Sequence, residues 1–185
     1  VTTVPTFVTK DYTGEITIIY DATKETAGLK DYTGTDGIYA HTGVITSAST
    51  SSSDWKHAPT WGDNSSKYML TSMGNNKWRL LITPNMASYY GLTTGEVVNK
   101  MAFVFRNGLK TKEGKDTGGT DIMVQLYDAG LNVSFTAPSA NQAVAVGTKI
   151  DFTVSASLAS DLNILVNGTS MKTATAATTL LYSHT

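Results

Sequence analysis

Short runs in which apolar and polar residues alternate, separated by turn-forming residues, dominate the first 129 positions of the chain. The Gly-Asn-Asn sequence at 74–76 predicts a hairpin between two of these runs. One short helix is predicted at 84–90, with Thr83 as its N-cap, Pro84 in its first position and Gly91 at its end. Several short strands at this spacing predict a β-sandwich. The predicted strands lie at residues 15–21, 37–45, 67–73, 77–83, 100–106 and 120–127.

A turn-forming cluster at residues 128–130 divides the chain into two predicted domains, 1–129 and 130–185. An immunoglobulin-like sandwich needs about seven strands in roughly 100 residues, so the second domain is predicted to be an incomplete immunoglobulin-like sandwich. We expect exposed apolar residues there, such as Leu180 and Leu181. Its open edges leave this half either poorly ordered or completed by a neighbouring molecule, with strand exchange as one route. The runs that predict its four or five strands include 131–136, 142–146, 149–155 and 162–166.

The composition is poor in charge and free of cysteine. Charged residues make up 16% of the chain and the formal net charge is −1, which argues against nucleic acid or anionic lipid as a partner. No apolar run reaches the roughly 20 residues of a membrane helix, so we expect no direct membrane insertion. Without cysteine there are no disulfides, thiolate nucleophiles or cysteine–metal sites. The 30 Thr and 16 Ser residues favour strands and indicate an exported protein. The lack of cysteine fits a bacterial surface or periplasm, and we expect an extracellular protein at the bacterial outer-membrane surface, with a leader absent from this chain.

Signatures of catalysis are missing from the sequence. Neither a G-x-S-x-G nucleophile motif nor an H-E-x-x-H zinc motif occurs. A glycosidase would need two carboxylates facing each other across a cleft, and no spacing of Asp and Glu supports such a pair. We therefore expect this chain to be non-enzymatic and to carry no cofactor. Calcium, which prefers oxygen ligands, is the one metal considered, with candidate ligands Asp36, Asp63, Asp116 and Asp121.

The residue types that bind sugars are concentrated between residues 39 and 64. A displayed Trp ring offers a flat apolar face on which a sugar ring can stack, while His, Asp, Asn and Lys side chains hydrogen-bond the sugar hydroxyls. His41 lies in a predicted strand that opens onto the Trp-containing loop. The alternative interpretation is that Trp55 or Trp61 folds back onto the core, as expected for Trp78. The candidate carbohydrate-binding residues are Tyr39, His41, Trp55, Lys56, Trp61, Asp63 and Asn64.

Several motifs follow one another along residues 15–128. They are IYAHTGVIT at 38–46, SDWK at 53–56, Trp61, NKW at 76–78, YYG at 89–91, MAFVFRN at 101–107 and GGTDI at 118–122. In this order they resemble the N-terminal module of Bacteroidetes surface α-amylase-type proteins of polysaccharide utilisation. That module is similar to the starch-binding carbohydrate-binding modules of families 25 and 26, which are β-sandwiches attached to glycoside hydrolase family 13 enzymes.

The resemblance implies binding of α-1,4-glucan without catalysis, with His41 and Trp55 at the positions that contact sugar in the family. A second sugar-binding Trp follows the F-x-F-x-N-G strand in those modules, whereas residues 106–110 read RNGLK here. Either Trp61 supplies the second ring, or binding is weakened or changed. The chain from Gly130 onward resembles the immunoglobulin-like domain that commonly follows.

The predicted function is non-catalytic binding of starch or maltooligosaccharides by an accessory module of a larger exported, α-amylase-type glycan-degrading protein. A structural spacer or protein-docking module that binds no sugar is the main alternative. Exposure of Trp55 and Trp61 on one face distinguishes these two hypotheses, because buried rings would favour the spacer. A small enzyme is the third hypothesis, and it would need two close carboxylates in a cleft.

Overall fold

The computed structural model describes residues 1–138 and 142–185, which form two compact units, Val1–Asp128 and Ala129–Thr185. These residues contain eleven β-strands, one α-helix and two short 3-10 helices. The strand ladders are all antiparallel. The all-β fold predicted from the alternating runs is therefore confirmed.

Eight strands build two sheets in the first unit. In chain order they are β1 (Thr2–Val4), β2 (Ile16–Asp21), β3 (Ile38–Thr46), β4 (Thr71–Gly74), β5 (Lys77–Ile82), β6 (Val98–Asn107), β7 (Glu113–Gly114) and β8 (Ile122–Gln125). One sheet has the order β1-β2-β5-β4. In the other, β6 pairs with β3 along one edge and with β7 and β8 along the opposite edge.

The core of the first unit lies between these two sheets. Ile16, Ile18 and Tyr20 occupy alternate positions of β2, are at most 1% exposed and belong to the same apolar cluster as Phe103 and Phe105 of β6. The rings of Tyr20 and Phe105 stack across the interface with their centroids 4.2 Å apart. Since strand side chains alternate between faces, each sheet contributes one apolar face to a β-sandwich.

The predicted hairpin joins β4 to β5. Asn75 and Asn76 have φ values of 50° and 61°, in the left-handed region that a type I′ turn requires. The strand predicted at 67–73 is shorter than expected, because a 3-10 turn at Ser66–Tyr68 precedes β4. Trp78 of β5 is partly buried and packs against the core, as expected.

Helix α1 (Met86–Tyr90) begins later than predicted. Its N-cap is Asn85, whose side-chain oxygen accepts a hydrogen bond from the Ser88 amide at 2.8 Å. The predicted cap, Thr83, is wrong, since Asn is the stronger N-cap residue and lies closer to the first turn. The helix ends at Gly91, as predicted, with φ at +69°, a conformation that glycine adopts without strain.

The second unit is a three-stranded sheet in the order β11-β10-β9. Its strands are β9 (Val133–Ala137), β10 (Ile150–Val166) and β11 (Thr169–His184). The runs predicted as separate strands at 149–155 and 162–166 both lie in β10, with register shifts between Ser155 and Leu162. Such bulges bend a strand without ending it. Residues 142–146 form no strand.

A small apolar cluster stabilises the second unit. It draws residues from both sides of the bulges in β10, so the two ends of this strand share one core. Leu180 of β11 is paired with Val154 and is 4% exposed, so its predicted exposure is wrong. Leu181 faces the other way and is 64% exposed. The buried members are Val154, Ala156, Leu162, Ile164 and Leu180.

Candidate functional site

Strand β3 has different chemistry on its two faces. Ile38, Ala40 and Thr42 point into the core and are at most 1% exposed. Tyr39 and His41 alternate with them and are only partly buried. Because side chains along a strand alternate between its faces, Tyr39 and His41 lie together on the outer face of the sheet.

The loop at residues 47–66 folds back over this outer face. Val44 and Lys56 form an isolated antiparallel bridge, with backbone N···O distances of 3.0 and 2.8 Å. Gly43 permits the close approach, since a Cβ added there would lie 2.9 Å from the Lys56 carbonyl oxygen and 3.3 Å from the Trp55 Cβ. The bridge and the glycine together bring Trp55 against β3.

The rings of two Trp residues in this loop both contact the imidazole of His41. The ring centroids of His41 and Trp55 are 5.5 Å apart with planes at 24°, and those of His41 and Trp61 are 4.9 Å apart with planes at 75°. The two indole planes are therefore inclined to each other by about 50° or more. Trp61 is 43% exposed and Trp55 is half-buried. We call Tyr39, His41, Trp55 and Trp61 the aromatic cluster.

Arg106 adjoins this cluster from β6, where it pairs with Tyr39 in the strand register. Its guanidinium carbon lies 5.5 Å from the Tyr39 ring centroid and 5.7 Å from that of Trp61, within the range of cation–π interactions. Nη1 donates to the Asn64 side-chain oxygen at 2.8 Å, and Nη2 donates to the Asp63 carbonyl oxygen at 2.6 Å. Arg106 therefore ties the turn after Trp61 to the sheet.

The other predicted hydroxyl-binding side chains are engaged within the protein. Asn64 accepts a hydrogen bond from Arg106 and donates one to a backbone carbonyl at 3.2 Å. The Asp63 carboxylate accepts a backbone amide at 2.8 Å. Lys56 pairs with Asp54 at 2.8 Å. Asp63 and Asn64 thus lie beside the aromatic cluster and stabilise the turn that follows Trp61. The ammonium of Lys56 points towards its own loop, where it contacts Asp54.

The surroundings of His41 favour its uncharged form. Burial lowers the pKa of His41 from its ordinary value, and the positive charge of Arg106 acts in the same direction, while Asp121 opposes both. The Nδ1 atom is buried without a hydrogen-bond partner. Since a buried N–H without an acceptor is rarer than a buried acceptor without a donor, we assign the proton of the neutral ring to Nε2. His41 can then donate one hydrogen bond from Nε2.

Arg106 is the site residue that sequence reasoning missed. The run at 100–106 was correctly predicted to be a strand, and a strand pattern gives no reason to single out its terminal arginine. The signal lies in its alternation, because Phe103 and Phe105 face the core and Arg106 must therefore face outward. Its burial depends on the loop that carries Trp61, which a strand pattern does not report.

Two surface grooves lie elsewhere on the first unit. The larger, of about 500 Å³, is lined by residues that include Lys67, Arg79 and Tyr89. The smaller, of about 340 Å³, is lined by residues that include Tyr12 and Glu96. Neither groove is lined by a residue of the aromatic cluster.

Among residues 1–138 and 142–185, no group of three or more His, Asp and Glu side chains is placed to hold a metal ion. Three of the four candidate calcium ligands accept hydrogen bonds within the protein, Asp63 from a backbone amide. Asp36 accepts hydrogen bonds from the Tyr32 hydroxyl and the Leu109 amide, and Asp116 accepts one from the Thr117 amide.

No family model and no curated sequence matches the chain. Within the described ranges, no helix has the length and apolar character needed to cross a membrane. The aromatic cluster and Arg106 are therefore the features from which the function is inferred.

Proposed function

We propose that residues 1–128 form a non-catalytic module that binds starch or maltooligosaccharides through the aromatic cluster. The module serves a larger exported α-amylase-type protein, which it would keep on its substrate. The observation that carries the proposal is the meeting of Trp55 and Trp61 on the ring of His41, with Trp61 43% exposed.

The inclination of the two indole rings suits an α-glucan. Successive glucose units of an α-1,4-linked chain turn relative to one another, so their apolar faces are not coplanar. One glucose can stack on the exposed face of Trp61, and the next can meet the accessible part of Trp55. A flat β-1,4-linked chain would favour parallel rings, whereas these are inclined by about 50° or more.

His41 is the residue that hydrogen-bonds the hydroxyls of the bound sugar directly. Its ring lies between the two indoles, and its Nε2 is free to donate to a sugar oxygen, since its Nδ1 is the buried nitrogen. Asp63 and Asn64 support the turn that carries Trp61. Small-molecule sites usually combine apolar contact with a few hydrogen bonds that fix the orientation of the ligand.

A structural spacer or protein-docking module is the second candidate, and the half-burial of Trp55 is the observation that favours it. The Trp55 Nε1 donates to the Ser52 carbonyl oxygen at 3.2 Å, and its ring stacks on His41, as a packing residue would. The exposure of Trp61 is what a purely structural spacer leaves unexplained.

Electrophoresis in native gels with and without soluble starch tests the proposal. Wild-type protein should be retarded by starch and not by a soluble cellulose derivative, and Trp61→Ala should lose the retardation. Met73→Ala is the matched control, because Met73 is 51% exposed and lies in β4 of the other sheet. Equal migration of wild-type protein in both gels would refute α-glucan binding and favour the spacer. Release of reducing sugar from starch by the purified chain would contradict the non-catalytic assignment.

A further inference from the structure

Arg106 is the only charged side chain that is buried among the described residues, and it is 0% exposed. Its hydrogen bonds all go to neutral oxygens, those of Asp63, Asn64 and Asn107. None of the ion pairs in the described part of the chain includes it. A charge buried without a paired carboxylate is expensive, and an apolar side chain of similar volume is often the more stable choice. Stability alone therefore does not account for an arginine here.

We propose that Arg106 is a positioning residue, whose buried guanidinium fixes the turn at residues 61–64 and so holds the Trp61 ring against His41 in the orientation that binds glucan. The glucan part of this inference rests on the proposed function. Arg106 does not itself touch the sugar, because it is fully buried.

The planar guanidinium matches the geometry of this turn. Its two terminal nitrogens donate to consecutive residues, to the backbone of Asp63 and the side chain of Asn64. The same group lies 5.7 Å from the centroid of the Trp61 ring. Lysine has a single nitrogen on a flexible stem and no planar fork, so it cannot reproduce the two bonds and the ring contact together.

The turn needs such an anchor because its own backbone is permissive. Gly62 follows Trp61 directly and has a φ of +91°, in a region that glycine visits freely. Without the bonds to Asp63 and Asn64, the Trp61 ring could adopt other orientations, and ordering it would then oppose ligand binding. If the Trp61 ring is already held in its binding orientation before the ligand arrives, the entropic cost of ordering it no longer opposes binding.

The test compares Arg106→Lys with Arg79→Lys. Arg79 is the other arginine of the chain and is exposed on β5, so it is a matched control. The full chain is labelled with 5-fluorotryptophan, and the three fluorine resonances are assigned by single Trp→Phe substitutions. The fluorine spectrum reports the surroundings of each Trp without ligand, and maltoheptaose titration reports binding.

In Arg106→Lys we expect the Trp61 resonance to shift or broaden while that of Trp78 stays in place, and the affinity for maltoheptaose to fall about tenfold. Arg79→Lys should change neither. An unchanged Trp61 resonance and affinity in folded Arg106→Lys would overturn the proposal. If Arg106→Lys does not fold, Asn64→Ala decides in its place, because it removes one tether from an exposed position. There too a displaced Trp61 resonance supports the proposal, and an unchanged one refutes it.

The proposed function and the positioning role of Arg106 can be refuted independently of each other. If wild-type protein binds no maltoheptaose, the proposed function is wrong, and the ligand-free fluorine spectrum still tests whether Arg106 positions Trp61. If wild-type protein binds and Arg106→Lys binds equally well, the function stands and the positioning role falls.

Discussion

The inner and outer faces of the sheet that contains β3 and β6 are built from alternate residues of the same strands, yet they differ in nearly every physical respect. On the inner face Phe103 and Phe105 are 0% exposed and stack with a centroid distance of 5.7 Å. On the outer face Trp61 is 43% exposed and rests on polar groups, the imidazole of His41 and the guanidinium of Arg106. The inner rings stabilise the sandwich, whereas Trp61 on the outer face stays partly exposed to water.

This difference separates stability from binding within one sheet. Apolar area removed from water is the main source of folding free energy, so truncating an inner ring should unfold the unit. An outer ring that stays largely in water contributes little to folding and can contribute much to recognition.

The largest effect is expected on the inner face. Phe103→Ala should lower the free energy of unfolding by about 3–5 kcal/mol, as core Phe truncations do, and should reduce glucan binding only through the unfolded fraction. Urea denaturation measures the first quantity and maltoheptaose titration the second. Leu109→Ala is the control, since Leu109 is 68% exposed and its loss should change stability by about 0.5 kcal/mol or less. A stable Phe103→Ala protein would contradict the assignment of this face to the core.

Trp61→Ala should have the opposite effect to Phe103→Ala, with a large loss of binding and a small loss of stability. We expect a loss of about 2 kcal/mol in binding free energy, typical of an aromatic anchor. The loss of stability should be about 1 kcal/mol or less because Trp61 is already 43% exposed in the folded protein. Calorimetric titration and thermal unfolding of the same preparations measure both. If the variant melts like a core mutant, or binds like wild type, the outer face is not a ligand surface.

Gly43→Ala should disturb the outer face through the backbone. The added Cβ would lie 2.9 Å from the Lys56 carbonyl oxygen and 3.0 Å from the Ala58 Cβ, so the bridge to Val44 must open. Overpacking of this kind costs about 1–3 kcal/mol, and Trp55 should move away from His41. The Trp55 indole signal in an ¹H–¹⁵N spectrum reports the movement. An unperturbed signal with full stability would show that the loop tolerates the methyl group.

The smallest effect is a pH dependence. Burial and Arg106 depress the pKa of His41 in the folded state. As the pH falls below about 6.5, the ordinary pKa of histidine, the unfolded chain takes up a proton that the folded chain still resists, so stability declines. Thermal midpoints of wild type and His41→Gln between pH 8 and pH 5 should show a weaker decline in the variant. Parallel curves for the two proteins would show that protonation of His41 does not cause the decline in stability.

The sequence sufficed to predict the features that depend on local pattern. Alternation located the strand that contains Tyr39 and His41, and Gly-Asn-Asn located the β4–β5 hairpin, because both follow from backbone geometry. The burial of Arg106 could not be predicted, since it requires knowing that a loop about 40 residues earlier in the chain folds over β6. The same limitation applies to Leu180, whose burial depends on the partner strand and on bulges in β10.

Chemical-shift mapping with maltoheptaose tests the central claim most directly, because the three indole N–H signals report on the aromatic cluster and on the opposite sheet in one spectrum. Trp55 and Trp61 lie in the aromatic cluster, and Trp78 lies in β5 of the other sheet. In the ¹⁵N-labelled chain we predict saturable shifts of the Trp55 and Trp61 signals, with the Trp78 signal unmoved. Shifts confined to Trp78, or no shift at millimolar maltoheptaose, would contradict binding of α-glucan on the outer face.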